Sequence, residues 1–392
     1  MRVAFQILSD GRWLAGEVYL NNLFHALARG PKKALELCLI PDPNGQMIKQ
    51  EYARSLGVNT ILAHHVPQKW TPSWVLNGAH KRFRLADPFG GKNLARSGVD
   101  VFFGSTVLFK YPGIGTLSWL PDFQHVHFPD MFTDGEWRDR DEAFRQSIKS
   151  ADRIVLLSKT VRTDLAAFAP EYIGKARVLQ PISYVPESLY QADPALLARD
   201  YNLPEKFAYM PNQFWRHKNH ETVFEALSLL RDKGIKVTVA CTGFPGDYRS
   251  AGYFPSLWAK VSQWNLREQV IYLGTVSRER VLSLIRQCVC VINPSLFEGW
   301  GLSVDEARSV GKRAIVSDIP AHREQNPPRA LFFDPHDCDD LAEKLAAVWN
   351  ESRPGPDLEF EAEARRNLPE RLDSFTGKFL DICHEVHPET RG

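Results

Sequence analysis

Two glutamates flank a glycine-rich turn in the last third of the sequence. Glu298 begins the turn, Gly299 and Gly301 lie within it, and Glu306 follows one helical turn later. Two glycines in three residues let the backbone turn sharply and come close to a ligand. A turn of this kind, leading into a helix whose free N–H groups face the carboxyl end of a buried strand, is a site for phosphate.

The elements around this turn read as strand, turn, helix and strand. Cys288–Ile292 is a short apolar run typical of a strand buried on both faces. Ser303 opens the predicted helix, Gly311 closes it, and Arg313–Ser317 is the next predicted strand. The buried strands therefore position the turn.

Glu306 has a second interpretation. Ser303-x-x-Glu306 ahead of an apolar stretch is also the pattern of a capping box, in which the glutamate only satisfies the backbone of its own helix. Glu298 has no such alternative. The sequence leaves both roles open for Glu306.

The stretch FEGWGLSVDEARSVG, followed by a β-run, resembles the signature of family-4 glycosyltransferases of the GT-B fold. The resemblance implies an α/β protein of two Rossmann-like α/β/α domains that face each other across a cleft. It also implies a retaining, nucleotide-sugar-dependent enzyme in which Glu298 holds sugar hydroxyls and Glu306 holds ribose hydroxyls. The other residues of this turn that it places at the donor are Gly299, Trp300, Gly301 and Leu302.

Length and composition fit such a protein. The chain has 392 residues, which predicts roughly two domains, and 44% of them are hydrophobic. Lys and Arg number 48 against 47 Asp and Glu, so no overall field attracts nucleic acid. The six cysteines are scattered without metal-ligand spacing, as in reduced core residues of a cytoplasmic protein. Neither a signal peptide nor an apolar run near 18 residues is present.

Alternating strands and helices place one domain at residues 1–185 and a second at 200–370. The stretch Pro181–Pro204, rich in Pro, Tyr, Ser and Ala, is the predicted linker. Residues 371–392 contain a final helix that, by resemblance, crosses back to the N-terminal domain. The first domain would bind the acceptor and the second the donor.

Four further residues are predicted at the donor. The loop Asn212–His220 follows the first strand of the second domain and carries Lys218 and Arg216, cations that a diphosphate needs. The family has an arginine five residues before this lysine, where this sequence has Gln213, and Arg216 is the proposed replacement. Gly16, in the first strand-to-helix loop, and Val276, beside the base, complete the set by resemblance; Gly16 is alternatively a simple turn glycine.

Polar residues follow the predicted strand Gly115–Leu120, at a strand end where parallel sheets bind ligands. Relatives often carry a catalytic histidine just before an aspartate here, whereas Pro121 precedes Asp122 in this chain. Asp122 or His125 is predicted to take that role, with His127 as the third candidate. His125 alternatively only hydrogen-bonds a loop.

Residues 64–96 combine basic residues with tryptophan and phenylalanine and contain almost no acid. This pattern suits the headgroup zone of an anionic membrane or an extended acceptor, and a location at the inner face of the membrane follows from the first option. An ordinary solvated surface is the alternative.

The predicted reaction moves a hexose from a UDP- or GDP-linked donor to a hydroxyl of a glycan or lipid-linked acceptor. The resemblance implies front-face displacement with retention, without a metal or other cofactor. Asp337–Asp340 contains an Asp-x-Asp pattern that binds metal in another glycosyltransferase fold, but acids at a helix start are ordinary. A GT-B-fold epimerase and a catalytically inactive sugar-binding relative remain as alternatives.

Overall fold

The computed structural model describes residues 1–6, 14–29, 35–40, 55–60, 88–247 and 249–391. Contacts divide the chain into two compact units. Unit 1 contains residues Met1–His125, Asp134–Ile182 and Arg371–Gly392, and unit 2 contains Val126–Thr133 and Ser183–Glu370. The main boundary, between Ile182 and Ser183, lies inside the stretch predicted as a linker.

Unit 1 is built on a parallel sheet with the strand order β3-β2-β1-β4-β5-β6-β7. Its strands are β1 (Arg2–Gln6), β2 (Glu36–Leu39), β3 (Asn59–Thr60), β4 (Val101–Gly104), β5 (Gly115–Leu120), β6 (Arg153–Leu156) and β7 (Ala176–Val178). β1 is paired on both sides, with Phe5 opposite Leu39 on β2 and opposite Phe103 on β4. Every residue of β5 is buried, as expected for a strand covered on both faces.

The helices of unit 1 cover this sheet. They are α1 (Leu14–Arg29), α2 (Pro88–Arg96), α3 (Gln124–His127, whose last two residues belong to unit 2), α4 (Asp134–Ser150) and α5 (Lys159–Phe168). Ser158 caps α5, its hydroxyl accepting a hydrogen bond from the Val161 amide at 3.0 Å. Phe379, near the C-terminus, packs against Phe5 and Phe103 at ring distances of 5.9 and 6.0 Å.

Unit 2 is built on a second parallel sheet, with the order β10-β9-β8-β11-β12-β13. Its strands are β8 (Ala208–Pro211), β9 (Val239–Thr242), β10 (Val270–Tyr272), β11 (Val291–Asn293), β12 (Ala314–Ser317) and β13 (Leu331–Phe333). Counted from its own first strand, this order is 3-2-1-4-5-6, the Rossmann arrangement. The same order begins the sheet of unit 1.

The helices of unit 2 follow its strands in alternation. They are α6 (Glu187–Gln191), α7 (Pro194–Asp200), α8 (His220–Asp232), α9 (Tyr253–Gln263), α10 (Arg278–Gln287), α11 (Leu302–Val310), α12 (Pro320–Gln325) and α13 (Cys338–Glu351). Helix α14 (Leu358–His384) begins in unit 2 and ends in unit 1. The predicted α/β class, with two parallel sheets, is confirmed.

Several element predictions differ from the structure. The stretch Pro181–Pro204 contains helices α6 and α7, and a helix that the sequence analysis missed, α9, lies between β9 and β10. The last helix begins at Leu358, well before Arg371. Of the basic aromatic stretch 64–96, residues 64–87 lie outside the described residues, and the membrane contact stays a prediction. In the described part of the chain, no helix is both long and apolar enough to cross a bilayer.

Gly311 tests the packing of the helix that carries Glu306. It ends α11 in the left-handed region, with φ of 72°, and a Cβ there would lie 2.5 Å from the backbone of Glu361. We expect Gly311→Ala to lower the free energy of unfolding by more than about 1 kcal/mol, since both the conformation and the contact oppose a side chain. Gly377→Ala, inside α14 with no atom within 4 Å of the added Cβ, is the control and should be neutral or stabilising. Equal unfolding midpoints for the two variants would contradict this account.

Candidate functional site

The site lies where the strand order of unit 2 changes direction. β8 and β11 are hydrogen-bonded neighbours, with Tyr209 opposite Val291, but the chain runs from β8 to β9 on one side and from β11 to β12 on the other. Loops at the carboxyl ends of such strands diverge and leave a crevice between them. The loop after β8 carries Lys218, and the loop after β11 carries Glu298.

Lys218 and Glu298 meet at this point in a close ion pair. The Lys218 Nζ donates to Oε1 of Glu298 at 2.6 Å, and their side chains are only 16% and 10% exposed. Asn293 Nδ2 and the Ser295 hydroxyl lie 3.4 and 2.7 Å from the same oxygen. The described residues place no hydrogen bond on Oε2 of Glu298. One oxygen is therefore held by the protein, and the other is left for a ligand.

The charge state of Glu298 follows from these partners. Burial alone would raise the pKa of Glu298, but the charges of Lys218 and His322 and the hydrogen bonds from Lys218 and Ser295 together hold the pKa below its ordinary value. The carboxylate is therefore ionised at neutral pH. Lys218 keeps two further N–H donors, which suits a group that binds a carboxylate and a phosphate together.

Helix α12 supports the turn Gly299–Leu302 through the side chain of Gln325. Gly301 has φ of 92° and precedes the first residue of α11. The backbone N–H groups of the first turn of this helix, which have no partner within the helix, therefore follow the glycine-rich turn directly. Gln325 Nε2 donates to the carbonyl oxygens of Trp300 and, at 3.1 Å, of Gly301. A Cβ on Gly301 would lie 3.2 Å from Nε2 of both Gln325 and His322, which explains the glycine at this position.

Glu306 binds an arginine. Its Oε1 accepts from Nη1 of Arg278 at 2.6 Å. The helix begins at Leu302 with Gly301 as its N-cap and no capping side chain, and the Ser303 hydroxyl instead accepts from Asn293 Nδ2 at 3.0 Å. The capping-box interpretation is therefore wrong, because Ser303 lies inside the helix. Burial raises the pKa of Glu306, although Arg278 opposes that rise; the adjacent Asp305 adds to it.

The loop after β8 presents a second cation. The Arg216 side chain is exposed, and its guanidinium has no hydrogen bond or ion pair to the residues that the structure describes. Its backbone amide is fixed by Asp247 Oδ2 at 3.2 Å, and Asp247 in turn forms a buried ion pair with Arg249 at 3.0 Å. The loop therefore holds its backbone in place and leaves the arginine available.

Two predicted donor residues lie at other strand ends. Val276 is half-buried in the loop between β10 and α10. Gly16 lies in the first turn of α1, which begins at Leu14, so the prediction that it belongs to the preceding loop is wrong. Because Gly16 is the third residue of the helix, its amide has no hydrogen-bond partner within the helix itself. No site contact is assigned to either residue.

The candidates after β5 have different surroundings. His125 is completely buried among Phe123, Phe144 and Phe168, at ring distances of 6.3, 5.1 and 5.9 Å. None of the described residues hydrogen-bonds either of its ring nitrogens. Burial, assisted by the charge of Arg140, lowers the pKa of His125 to about 4. This enclosure is at odds with the catalytic role predicted for His125.

Asp122 and His127 remain accessible. Asp122 Oδ1 accepts from the Gln124 amide at 2.9 Å and from Arg140 Nη2 at 2.8 Å, which fixes the start of α3. His127 is exposed in unit 2, and its ring lies 4.9 Å from that of Phe297, the residue before Glu298. Within unit 2, the structure therefore places His127 beside the glycine-rich turn.

The acidic run near the C-terminal end is a helix cap. Asp337 Oδ1 accepts from the amides of Asp339 and Asp340 at 3.0 Å, as an N-cap of α13. Among the residues that the structure describes, no cluster of three His, Cys, Asp or Glu side chains could hold a metal ion.

Sequence analysis missed four residues that shape the site: Arg278, Asn293, His322 and Gln325. The sequence contains a signal for Arg278: it is the first residue of a helix, where the helix dipole disfavours a cation, so an ionic partner on another element could have been predicted. The other three gave none, since their roles depend on how α12 and β11 pack around the turn.

Residues 198–368 match the family model of glycosyl transferases group 1. The match contains Lys218, Glu298, Glu306 and the turn between the glutamates.

Among curated proteins, the chain is similar to the O-antigen chain mannosyltransferase B of Escherichia coli, with 23% identity over 227 residues, 55% of this chain and 58% of that protein. It is 28% identical over 123 residues to the O-antigen chain mannosyltransferase RfbU of Salmonella typhimurium, 31% of this chain and 33% of that one. It also matches the serotype-specific mannosyltransferase WbdA of Escherichia coli, 27% over 199 residues, 49% of this chain and 24% of WbdA. The matched stretches thus span less than two thirds of these relatives.

Solved structures show the same architecture over nearly the whole chain. HepE from Anabaena, solved with UDP and glucose, has a TM-score of 0.69 at 14% identity and covers 98% of this chain and 100% of its own. Sucrose-phosphate synthase from Thermosynechococcus elongatus has a TM-score of 0.65 at 17% identity, covering 100% and 98%. The fold is therefore GT-B, as predicted.

The burial of His125 predicts a pH dependence of stability. Since its pKa falls from 6.5 to about 4 on folding, the unfolded chain binds more protons than the native one between these values, and stability is lost as pH falls through that window. His125→Phe removes this titration, so its urea midpoint should rise relative to wild type as pH falls from 6.5 to about 4. A pH-independent difference, or lost turnover without this gain, would contradict a structural role.

Proposed function

We propose that this protein is a retaining glycosyltransferase that uses a nucleoside diphosphate sugar. The observation that carries the proposal is the ion pair of Lys218 and Glu298, 2.6 Å apart at the switch point of the family-matched unit. Lys218, a cation suited to phosphate, and Glu298, an ionised carboxylate suited to hydroxyls, lie together beside a turn that is followed by the N-terminal amides of α11. A nucleotide sugar presents phosphates and hydroxyls next to each other.

The reaction replaces one bond to the anomeric carbon by another. The bond from C1 of the sugar to the diphosphate oxygen breaks, and a bond from C1 to the acceptor oxygen forms on the same face. The acceptor proton passes to the departing diphosphate oxygen, so no protein nucleophile is required. The protein's task is to stabilise the charge that develops on the diphosphate.

Each residue of the site has a part in this scheme. Lys218, Arg216 and the amides that follow Gly301 stabilise the diphosphate. Glu298 accepts hydrogen bonds from sugar hydroxyls through Oε2, and Glu306 accepts them from the ribose. His127, exposed beside Phe297, faces the sugar or the acceptor hydroxyl.

Mannose is the first sugar to test, because three similar proteins carry the name mannosyltransferase. O-antigen chains are glycans, so a glycan or lipid-linked glycan is the proposed acceptor class. Both UDP and GDP remain candidates for the nucleotide of the donor. HepE was solved with UDP. The roles proposed for the site residues concern the phosphates and the ribose, which UDP- and GDP-linked donors share.

Release of nucleoside diphosphate tests the proposal. Purified protein is incubated with GDP-mannose, UDP-glucose and related donors, with and without a mannose-containing oligosaccharide, and free nucleoside diphosphate is measured. We expect acceptor-stimulated release with one donor. Donor binding without release would favour a catalytically inactive relative, and interconversion of the donor sugar would favour an epimerase.

Lys218→Ala in the same assay should weaken donor affinity roughly tenfold to hundredfold and lower turnover, because a charge-assisted hydrogen bond contributes about 1.5–3 kcal/mol. Lys218→Arg keeps a cation for Glu298 and should preserve the fold and part of the affinity. Lys236→Ala is the matched control, since Lys236 pairs with Glu268 on the surface of the same unit. Donor affinity that is unchanged in Lys218→Ala would remove this loop from the site.

The two glutamates should respond differently to the same substitution. Glu298→Gln should lower the rate constant more than the affinity, because its contacts strengthen as the glycosidic bond breaks. Glu306→Gln should weaken donor binding by roughly 1–2 kcal/mol with a smaller change in rate, because the ribose contact is the same before and during the reaction. Isothermal titration and initial rates separate the two effects, and an identical profile for both variants would refute the assignment.

A further inference from the structure

Arg278 occupies a helix position that is unfavourable for a cation. It is the first residue of α10, where the helix dipole is positive and acidic side chains are preferred. An arginine gains nothing from its own helix there. Its stabilisation has to come from a partner on another element.

That partner is Glu306 on α11. Nη1 of Arg278 donates to Oε1 of Glu306 at 2.6 Å, while Nη2 lies 3.4 Å from the carbonyl oxygen of Tyr184. The Arg278 side chain is 22% exposed and that of Glu306 is 9% exposed. The pair is thus partly shielded from water, where a charged hydrogen bond is strong and fixes orientation.

Only one oxygen of Glu306 is used. Within the part of the chain that the structure describes, Oε2 of Glu306 makes no hydrogen bond. The neighbouring carboxylate of Asp305 accepts a hydrogen bond from the Ser183 amide at 2.6 Å. The other titratable group near Glu306, Tyr209, has its hydroxyl 2.6 Å from Thr242 Oγ1. Oε2 of Glu306 is therefore left as an acceptor for a ligand.

We propose that Arg278 is a positioning residue that fixes Glu306 for the ribose hydroxyls of the nucleotide donor. The inference rests on the proposed function and deepens it. Arg278 binds one carboxylate oxygen and thereby sets the direction of the other. It also favours the charged carboxylate, which accepts hydrogen bonds from both vicinal hydroxyls of a ribose and donates none. The loop Gly274–Ser277, which contains Val276, the residue predicted beside the base, leads directly into Arg278. The loop proposed for the base and the arginine proposed to position Glu306 are therefore consecutive in the chain.

Deoxynucleotides test this role. Binding of UDP and GDP, and of their 2′-deoxy and 3′-deoxy analogues, is measured by isothermal titration for wild type, Arg278→Met, Arg278→Lys and Arg280→Met. Wild type should bind one ribonucleotide about tenfold more tightly than at least one deoxy analogue. Arg278→Met should lose that ratio, and Arg278→Lys should recover part of it. Arg280, two residues along α10 and bonded to the Tyr201 hydroxyl, is the matched control and should leave the ratio unchanged.

Coupling to Glu306 is tested with the double variant. If Arg278 acts through Glu306, adding Glu306→Gln to Arg278→Met should cause little further loss, because one of the two changes already removes the effect. A ribose-to-deoxyribose ratio that survives in Arg278→Met, with only a lower melting temperature, would overturn the inference and leave a structural tie between α10 and α11. Failure of wild type to bind either ribonucleotide would instead overturn the proposed function, and this inference with it.

Discussion

The candidate site depends on the ion pair between Lys218 and Glu298. Removing two charges from water is costly, and the attraction between them offsets the cost only when the geometry is good and the remaining polar atoms are satisfied. The structure meets this requirement through adjacent strands: β8 and β11 are neighbours, and the loop that follows each strand supplies one partner. Asn293 and Ser295 then complete the surroundings of one carboxylate oxygen. A buried pair of this kind is weak evidence for stability, and we interpret it as pre-organisation of a binding site.

The two glutamates show how surroundings differentiate identical side chains. Both are almost buried and both have one oxygen bound by a cation, yet the pKa of Glu298 is lowered and that of Glu306 is raised. Burial favours a higher pKa for both. At Glu298 the pull of Lys218, assisted by His322 and Ser295, outweighs burial, whereas at Glu306 burial outweighs Arg278 and the charge of Asp305 adds to the rise. Opposite shifts of this kind are expected where two carboxylates perform different tasks.

The sequence predicts the repeated strand and helix pattern because buried parallel strands are short apolar runs, and the structure confirms β5 at the predicted residues Gly115–Leu120. It also predicts the turn and the glutamates that flank it, because glycine and glutamate spacing is local. Sequence patterns do not predict the surroundings of single side chains. The enclosure of His125 by Phe144 and Phe168 depends on helices α4 and α5 packing over α3, which no local pattern specifies. The choice of Arg278 over the backbone as partner of Glu306 likewise depends on how α10 packs against α11, a contact between side chains 28 residues apart.

Helix α14 has a consequence for the order in which the protein is made. Its residues change from unit 2 to unit 1 between Glu370 and Arg371, next to Pro369, and Phe379 then packs onto Phe5 and Phe103. Gly115 lies so close to the backbone of Val386 that no side chain fits between them. During translation, these contacts in unit 1 therefore form only after the last turns of α14 have left the ribosome, long after the strands of unit 1 have emerged. The unit that is begun first therefore completes its core last, because Phe5 and Phe103 gain their contact with Phe379 only after unit 2 has been synthesised.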